Sequence, residues 1–397
     1  MTLAESQRNT TNQPPDFYRD VYCILGLPFD AVSLDEAVGK VRMAAKSKTR
    51  LFLSTPNLNF LITAQTDAAF RNSVIHSDLS VADGMPIVWL AQLLGVPIRE
   101  RVAGASVFQT LMSPARAATG HDEKTSTIRV FFFGGPTGVA QAAHERINTG
   151  AGLQHGGVTS VGYACPGFGT VDDMSTPAII QQINASQADF LVVALGAAKG
   201  QAWIERNRAA LTAPVLSHLG AVVNFVAGKV ERAPAWVQRV GLEWLWRIKE
   251  EPALWRRYLA DGKALIRLVL TRVAPLAWIH YTQRPRQILA QSSGIAIEEL
   301  GDWRLVSLRG AWVRANLEPL RALFNQAATE RWRVKLDLQN VTYVDAAFLG
   351  LLMIFADHQE NAAGAKLPVF ESQFKVVNTV FKCAGLGYLL EKNGHSK

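Results

Sequence analysis

Between Val21 and about Gly228 the chain alternates short apolar runs with longer stretches of helical spacing. Apolar runs of four to eight residues bounded by turn residues predict buried strands, and residues 50–54, 79–82, 128–133, 158–163, 190–195 and 214–218 fit that description. Helical spacing predicts helices over 59–73 and 86–94, and another from the Gly134-Gly135-Pro136 turn through Ile147. Strands alternating with helices in this way predict an α/β unit with a largely parallel sheet. Ligands of such sheets sit beyond the carboxyl ends of the strands, which here carry Thr55-Pro56-Asn57, Asp83-Gly84, Gly134-Gly135 and Gly196.

The pattern changes at Lys229. Residues 229–286 read as helices broken by Pro234, Pro252 and Pro275, with twelve Lys and Arg against five Asp and Glu. Nearly all of the net charge lies here, together with Trp236, Trp244, Trp246, Trp255 and Trp278, half of the ten tryptophans. Arginines meet anionic headgroups while indole rings settle at the headgroup boundary, so a basic, Trp-rich appendage predicts contact with an anionic membrane surface. The alternative is a helical appendage packed on its own domain. No recognisable nucleic-acid motif accompanies the charge, and a nucleic-acid partner is not expected.

A linker over 287–294 (QILAQSSG) follows. Predicted strands at 295–300, 304–308, 334–338 and 367–370 then alternate with helices at 317–328, 346–361 and 374–384, giving a second small α/β domain over 295–392 with a core of its own. At the other end, residues 1–20 are polar and contain Pro14 and Pro15, and they predict a flexible tail rather than a secretory signal. No internal repeat is present.

Composition narrows the class. The 397 residues are 49% hydrophobic, and 41 Lys and Arg against 33 Asp and Glu give a net charge of +8, which excludes a disordered chain. Cys23, Cys165 and Cys383 are far apart and show neither a disulfide framework nor zinc spacing, which fits a reducing compartment. The most apolar stretch, 264–281, is interrupted by Arg267 and Arg272, so no spanning helix is expected.

Several turns can carry chemistry. Thr55-Pro56-Asn57 is placed either to cap a helix or to line a pocket. Asp83 ends a strand among Val81, Ala82, Met85 and Ile87, either as a tight-turn residue or as a general base whose pKa is raised by desolvation. Arg101 is either a surface charge or a phosphate ligand. Gly134-Gly135-Pro136-Thr137-Gly138 either forms a plain turn or offers backbone N–H groups to a phosphate, with neither Walker A nor GxGxxG spacing. There is no Asp-x-Asp, no His/Glu metal spacing and no GxSxG, so no metal site is assigned, and a departing diphosphate would need cationic side chains.

Taken together, Ser54-Thr55-Pro56-Asn57, the 28-residue step to Ala82-Asp83-Gly84, and Glu100-Arg101-Val102-Ala103-Gly104 closely resemble the WecG/TagA/CpsF family of bacterial glycosyltransferases. The likeness runs on through Phe133-Gly134-Gly135, Val193-Ala194-Leu195-Gly196, Ala227-Gly228-Lys229-Val230, Gly241-Leu242-Glu243-Trp244 and Trp255-Arg256-Arg257-Tyr258-Leu259, covering about 21–270. The resemblance implies a Rossmann-like glycosyltransferase core (21–228) with a helical appendage (229–286). It further implies inverting transfer of a hexose or N-acetylhexosamine-type sugar, N-acetylmannosamine-like or glucose-like, from a UDP-sugar to a polyprenyl-diphosphate-linked acceptor in exopolysaccharide or cell-envelope synthesis. The expected location is cytoplasmic, peripheral on the inner face of the membrane. The family's base falls on Asp83, its pocket residues on Thr55, Asn57 and Arg101, and its appendage arginines on Arg247 and on Arg256 or Arg257. Gly134, Gly135 and Gly196 complete the expected binding residues, and no metal or other cofactor is expected.

The chain departs from the family pattern at Gly196-Ala197-Ala198-Lys199-Gly200-Gln201. There the pocket glutamine is replaced by Gly200 unless Gln201 shifts into its place. Asn224 and Ser106 stand where aspartates are frequent. Residues 295–390 resemble the STAS domain through Val334 to Leu338, Val341 to Asp345 and the helix opening at Leu349-Gly350-Leu351-Leu352. The phosphorylatable serine of that family is absent from Asp345-Ala346-Ala347-Phe348, so docking to a protein partner or self-association is expected of this domain. From another class, a non-catalytic UDP-sugar or lipid sensor signalling through the STAS-like domain remains the competing reading.

Overall fold

The computed structural model describes residues 15–114, 127–150, 156–230, 233–234, 237, 243–250, 252, 255–288, 293–362, 364 and 366–391. In chain order the N-terminal part comprises β1 (Val21–Ile24), β2 (Leu27–Asp30), α1 (Leu34–Ser47), β3 (Leu51–Ser54), α2 (Leu58–Thr63), α3 (Ala68–Ile75), β4 (Leu79–Ser80), α4 (Met85–Leu93) and α5 (Gly104–Met112). It continues with β5 (Ile128–Gly134), α6 (Val139–Thr149), β6 (Val158–Ala164), α7 (Pro177–Ala185), β7 (Phe190–Ala194), α8 (Ala197–Asn207), β8 (Val215–His218) and α9 (Gly220–Val226). β3 to β8 form a six-stranded, all-parallel sheet in the order β4-β3-β8-β7-β5-β6.

Every residue of β7 is buried, which is why its sequence is an unbroken apolar run rather than an alternation. Side chains of β5 point alternately to the two faces: Phe132 joins Val192, Phe108 and Val41 on one, while Phe131 and Phe133 join Leu191 and Trp203 on the other. Phe133 stacks on Trp203 at 4.3 Å between ring centroids. The chain leaves β5 toward β6 on one side and leaves β7 toward β8 on the other. The carboxyl ends of β5 and β7 therefore border a topological switch point, the usual position of a binding crevice.

The appendage comprises α10 (Glu243–Glu250), α11 (Trp255–Leu268) and α12 (Ala274–Ile288). The expected break at Pro252 falls between α10 and α11, and Pro234 lies in no described element. Pro275 does not break the helix. The π-helical turn Val269–Val273 directly precedes it, and the wider turn takes up the missing N–H and the ring clash that would otherwise stop the helix. Trp236, Arg232, Arg239 and the Gly241-Leu242 motif lie outside the described residues, as do residues 289–292 of the expected linker, whose Gln287 and Ile288 instead end α12 and whose Gly294 opens β9.

The C-terminal part comprises β9 (Gly294–Leu300), β10 (Trp303–Trp312), α13 (Glu318–Thr329), β11 (Arg333–Val344), α14 (Ala346–Ala362), β12 (Val369–Phe370), α15 (Lys375–Cys383) and β13 (Leu390–Glu391). Its sheet runs β13-β12-β11-β10-β9, parallel except for β9 against β10. The small α/β domain is thus present, but its core is not independent. One continuous apolar cluster joins Phe17 to Leu27, Phe60, Val74 and Ile87 with Leu320, Phe324, Leu352, Phe355 and Phe381.

The seam is the β1–β2 hairpin, laid across α14. Gly350 allows this approach, because a Cβ there would lie 2.7 Å from the Val21 carbonyl oxygen. The expected tail is therefore anchored at its end: Phe17 is 1% exposed, edge-on to Phe355, and Arg321 donates to the carbonyls of Phe17 and Arg19. Arg19 makes a buried ion pair with Asp30 at 2.7 Å. Across the seam, His76, which ends α3 as its C-cap, lies between Glu205 of α8 (2.9 Å) and Asp357 of α14 (2.8 Å).

Candidate active site

The strand ends converge at the carboxyl edge of the six-stranded sheet. Asp83 follows β4, and its backbone N–H donates to the Pro56 carbonyl at 3.1 Å, tying the Asp83-Gly84 turn to the turn after β3. Gly84 has φ +129°, in the region that favours glycine, and Pro86 sits in the first turn of α4. This sharp entry explains the residue types around the carboxylate.

The Gly104 N–H at the start of α5 points to Asp83 Oδ2 at 3.4 Å. Gly104 is itself pinched, since a Cβ there would lie 2.5 Å from Leu219 Cδ2 and 3.3 Å from Thr55 Cγ2. Thr55, Asp83, Gly104 and Leu219 are thereby held in one cluster. Asn57 caps α2 by accepting the Phe60 N–H at 3.2 Å through Oδ1, which leaves its amide N–H groups free to donate.

The appendage reaches this cluster. Burial pushes the Asp83 carboxyl above its ordinary range, while the charges of Arg247 and Arg101 pull the other way and Glu243 adds to the rise. Arg101 pairs with Glu243, so the first residue of α10 is pinned to the loop that precedes α5. A carboxyl made more basic by desolvation, with guanidinium groups beside it, suits general-base work next to a dianionic leaving group.

Of the predicted residues, Asp83, Thr55, Asn57, Arg101 and Arg247 lie at this edge. Gly134, Gly135 and Gly196 border the β5/β7 crevice. Gly134 and Gly135 have φ of +90° and +86°, and Gly196 stands exposed at the start of α8. Arg256 and Arg257 are exposed on α11, over the rings of Trp255 and Tyr258. Their own helix packs on α2, where Asp261 is bonded to Asn59.

Gln201 is 1% exposed: its Nε2 donates to Ser54 Oγ at 3.0 Å, bracing the end of β3, and its Oε1 is buried with no hydrogen-bond partner among the described residues. Sequence reasoning also gave no site role to Glu243 or His218. The signal for Glu243 was an acid four residues before Arg247 in a strongly basic segment. His218 had none.

Residues 22–277 match the Glycosyl transferase WecG/TagA/CpsF family. The chain belongs to that family. As a WecG/TagA/CpsF glycosyltransferase it is similar to enzymes named N-acetylglucosaminyldiphosphoundecaprenol N-acetyl-beta-D-mannosaminyltransferase from three species. The Bacillus spizizenii enzyme is 30% identical over 231 residues, covering 58% of this chain and 83% of the relative. The Bacillus subtilis enzyme is 27% identical over 53% of this chain and 76% of the relative. The Staphylococcus aureus enzyme (strain NCTC 8325) is 23% identical over 56% and 82%. A solved structure, the Bacillus cell fate determinant SpoIIAA in its phosphorylated form, is similar over 26% of this chain and 93% of that one. Its identity of 16% and TM-score of 0.23 are too slight to carry an argument.

Proposed function

We propose that this glycosyltransferase moves a hexose or N-acetylhexosamine from a UDP-sugar to a polyprenyl-diphosphate-linked sugar during cell-envelope glycan assembly, inverting the anomeric carbon. The observation that carries the reading is the Asp83 carboxyl, desolvated at the sheet edge and flanked by Arg101 and Arg247. The relatives' printed names support the lipid-linked acceptor. Asp83 takes the proton from the acceptor hydroxyl as that oxygen attacks the anomeric carbon. The bond from carbon to the UDP oxygen breaks, and UDP leaves with the electron pair beside guanidinium groups. Among the described residues no group of three or more His, Cys, Asp or Glu is placed to hold a metal ion. Arg101 and Arg247 beside Asp83 would neutralise the departing diphosphate, and the reaction is proposed to need no metal.

The acceptor's lipid implies work at a membrane. Among the described residues no helix is long and apolar enough to cross one. On α11 and the π-helical turn that continues it, however, Trp255, Leu259, Ile266 and Leu270 are all exposed and fall within about 60° of one another at about 100° per residue. Lys263, Arg256 and Arg267 line one side of that stripe. Exposed Trp278 and Tyr281 of α12 extend it toward Trp89 and Leu93 of α4, to which Tyr281 is tied through the Gln92 carbonyl. An apolar stripe edged by cations fits a helix lying in an anionic bilayer surface, facing the cytoplasm where nucleotide sugars are made.

Turnover of Asp83→Asn with donor and lipid-linked acceptor tests the mechanism. A fall of about 100-fold or more is expected, with UDP binding retained. In the wild type, the acid limb of kcat/KM, which reports the free enzyme, should lie above the ordinary carboxylate pKa of 3.8, because burial raises that of Asp83. Near-wild-type turnover removes Asp83 from the role. A magnesium requirement revealed by chelation removes the arginine reading, and binding without turnover across a panel of donors and acceptors favours the sensor.

A further inference from the structure

Gly200 leaves no gap. It is buried in the first turn of α8, and a Cβ at this position would lie 2.8 Å from His218 Cγ and 3.0 Å from Nε2, so the imidazole already occupies the space a side chain at 200 would enter. His218 is the last residue of β8 and projects from the carboxyl edge between β3, which carries Thr55 and Asn57, and β7, which leads to Gly196. Gly220, at the start of α9, makes a second close wall, with its Cβ position 3.4 Å from Nε2. The Phe60 ring lies 6.4 Å away, centroid to centroid.

The ring is polarised by its setting. Nε2 is hydrogen-bonded to the Leu195 carbonyl, an acceptor only, so the proton sits on Nε2 and Nδ1 carries the lone pair. Burial lowers the His218 pKa, against the Leu195 hydrogen bond, and keeps the ring neutral at neutral pH. Nδ1 makes no hydrogen bond among the described residues, and it is not among their sealed, partnerless polar atoms. The half-buried ring thus offers one oriented acceptor to the cleft, at the sheet edge that also carries Asp83.

We infer that His218 is a specificity-determining residue for the transferred sugar, accepting a hydrogen bond from a ring hydroxyl or acetamido N–H of the hexosyl group, and that Gly200 exists to admit it. This rests on the glycosyltransferase reading above. Gly200 and His218 then form one unit: a side chain on α8 and an imidazole on β8 are alternative occupants of the same volume.

The test compares UDP-hexoses with UDP-N-acetylhexosamines for wild type, His218→Ala, Gly200→Ala and the double variant. It reads both kcat/KM ratios and UDP-sugar dissociation constants, with UDP alone as the control. His218→Ala should shift the preference between donors by about tenfold, the worth of one hydrogen bond to a neutral group, while UDP affinity moves less than twofold. Gly200→Ala should shift it in the same direction by displacing the ring, and the double variant should add nothing further. His218→Gln, which keeps an acceptor, should recover part of the preference. Unchanged donor ratios in folded variants overturn the inference, as does an equal loss for UDP itself. If the wild type binds UDP-sugars without turning them over, the transferase reading fails, and the dissociation constants still decide the role of His218.

Discussion

His76 offers a direct measure of how firmly the two α/β units hold each other. Its ring nitrogens meet Glu205 on one side and Asp357 on the other, with 15% of the side chain exposed. Burial alone would lower its pKa. The hydrogen bonds and charges of Asp357 and Glu205 outweigh that and raise it from 6.5 to about 9. At 1.36 kcal/mol per pKa unit this is about 3 kcal/mol of folding free energy. The lowered pKa of Glu205 reflects the same contact from the other side and is not added to it. Because the folded pKa is raised, the contribution is fully present below pH 6.5 and is lost as pH climbs through about 9. His76→Gln removes the charge while keeping a polar side chain near Asn361 and Arg208, which also contact His76. Urea unfolding of both proteins at pH 6, 7.5 and 10 should show a gap of about 3 kcal/mol at pH 6 that nearly closes at pH 10. Tyrosines, lysines and thiols that ionise in alkali act on both proteins alike, so the difference isolates this residue. A gap that stays constant across the range refutes the argument.

Two further outcomes follow from packing and exposure. Gly350→Ala should destabilise the full chain by about 1–3 kcal/mol, since its methyl group would press on the Val21 carbonyl; calorimetry that shows no loss would mean the hairpin rides loosely on α14. Ile266→Ser with Leu270→Ser, at positions 62% and 68% exposed, should cost little stability. The pair should weaken sedimentation with anionic phospholipid vesicles at least tenfold, and undiminished binding would remove the α11 stripe from membrane contact.

The parallel sheet was legible because strands covered on both faces are contiguous apolar runs, as in 190–194. The helix expected over 59–73 is two, because Asp67 accepts the Phe70 N–H and starts a second helix where apolar periodicity continues unbroken. The β1–β2 hairpin went unrecognised because its apolar residues are covered by α14, far away in sequence. At the site, Arg101 and Arg247 were assigned only by the family resemblance, whereas Asp83 could be placed from a strand end. The exchange between Gly200 and His218 could not, because it depends on two backbones whose separation no local pattern encodes.

The shared seam also sets a timetable for biogenesis. When the β1–β2 hairpin leaves the ribosome, the helix that will cover it lies roughly 300 residues downstream in the message still to be read, or about 15–60 s of synthesis at ordinary elongation rates. Throughout that interval Tyr22, Ile24 and Phe29 can pack on α3 and β4 but lack the cover that α14 gives them. A premature stop between α12 and α14 would release the family-matched part whole, with the face of the β1–β2 hairpin that α14 covers left bare.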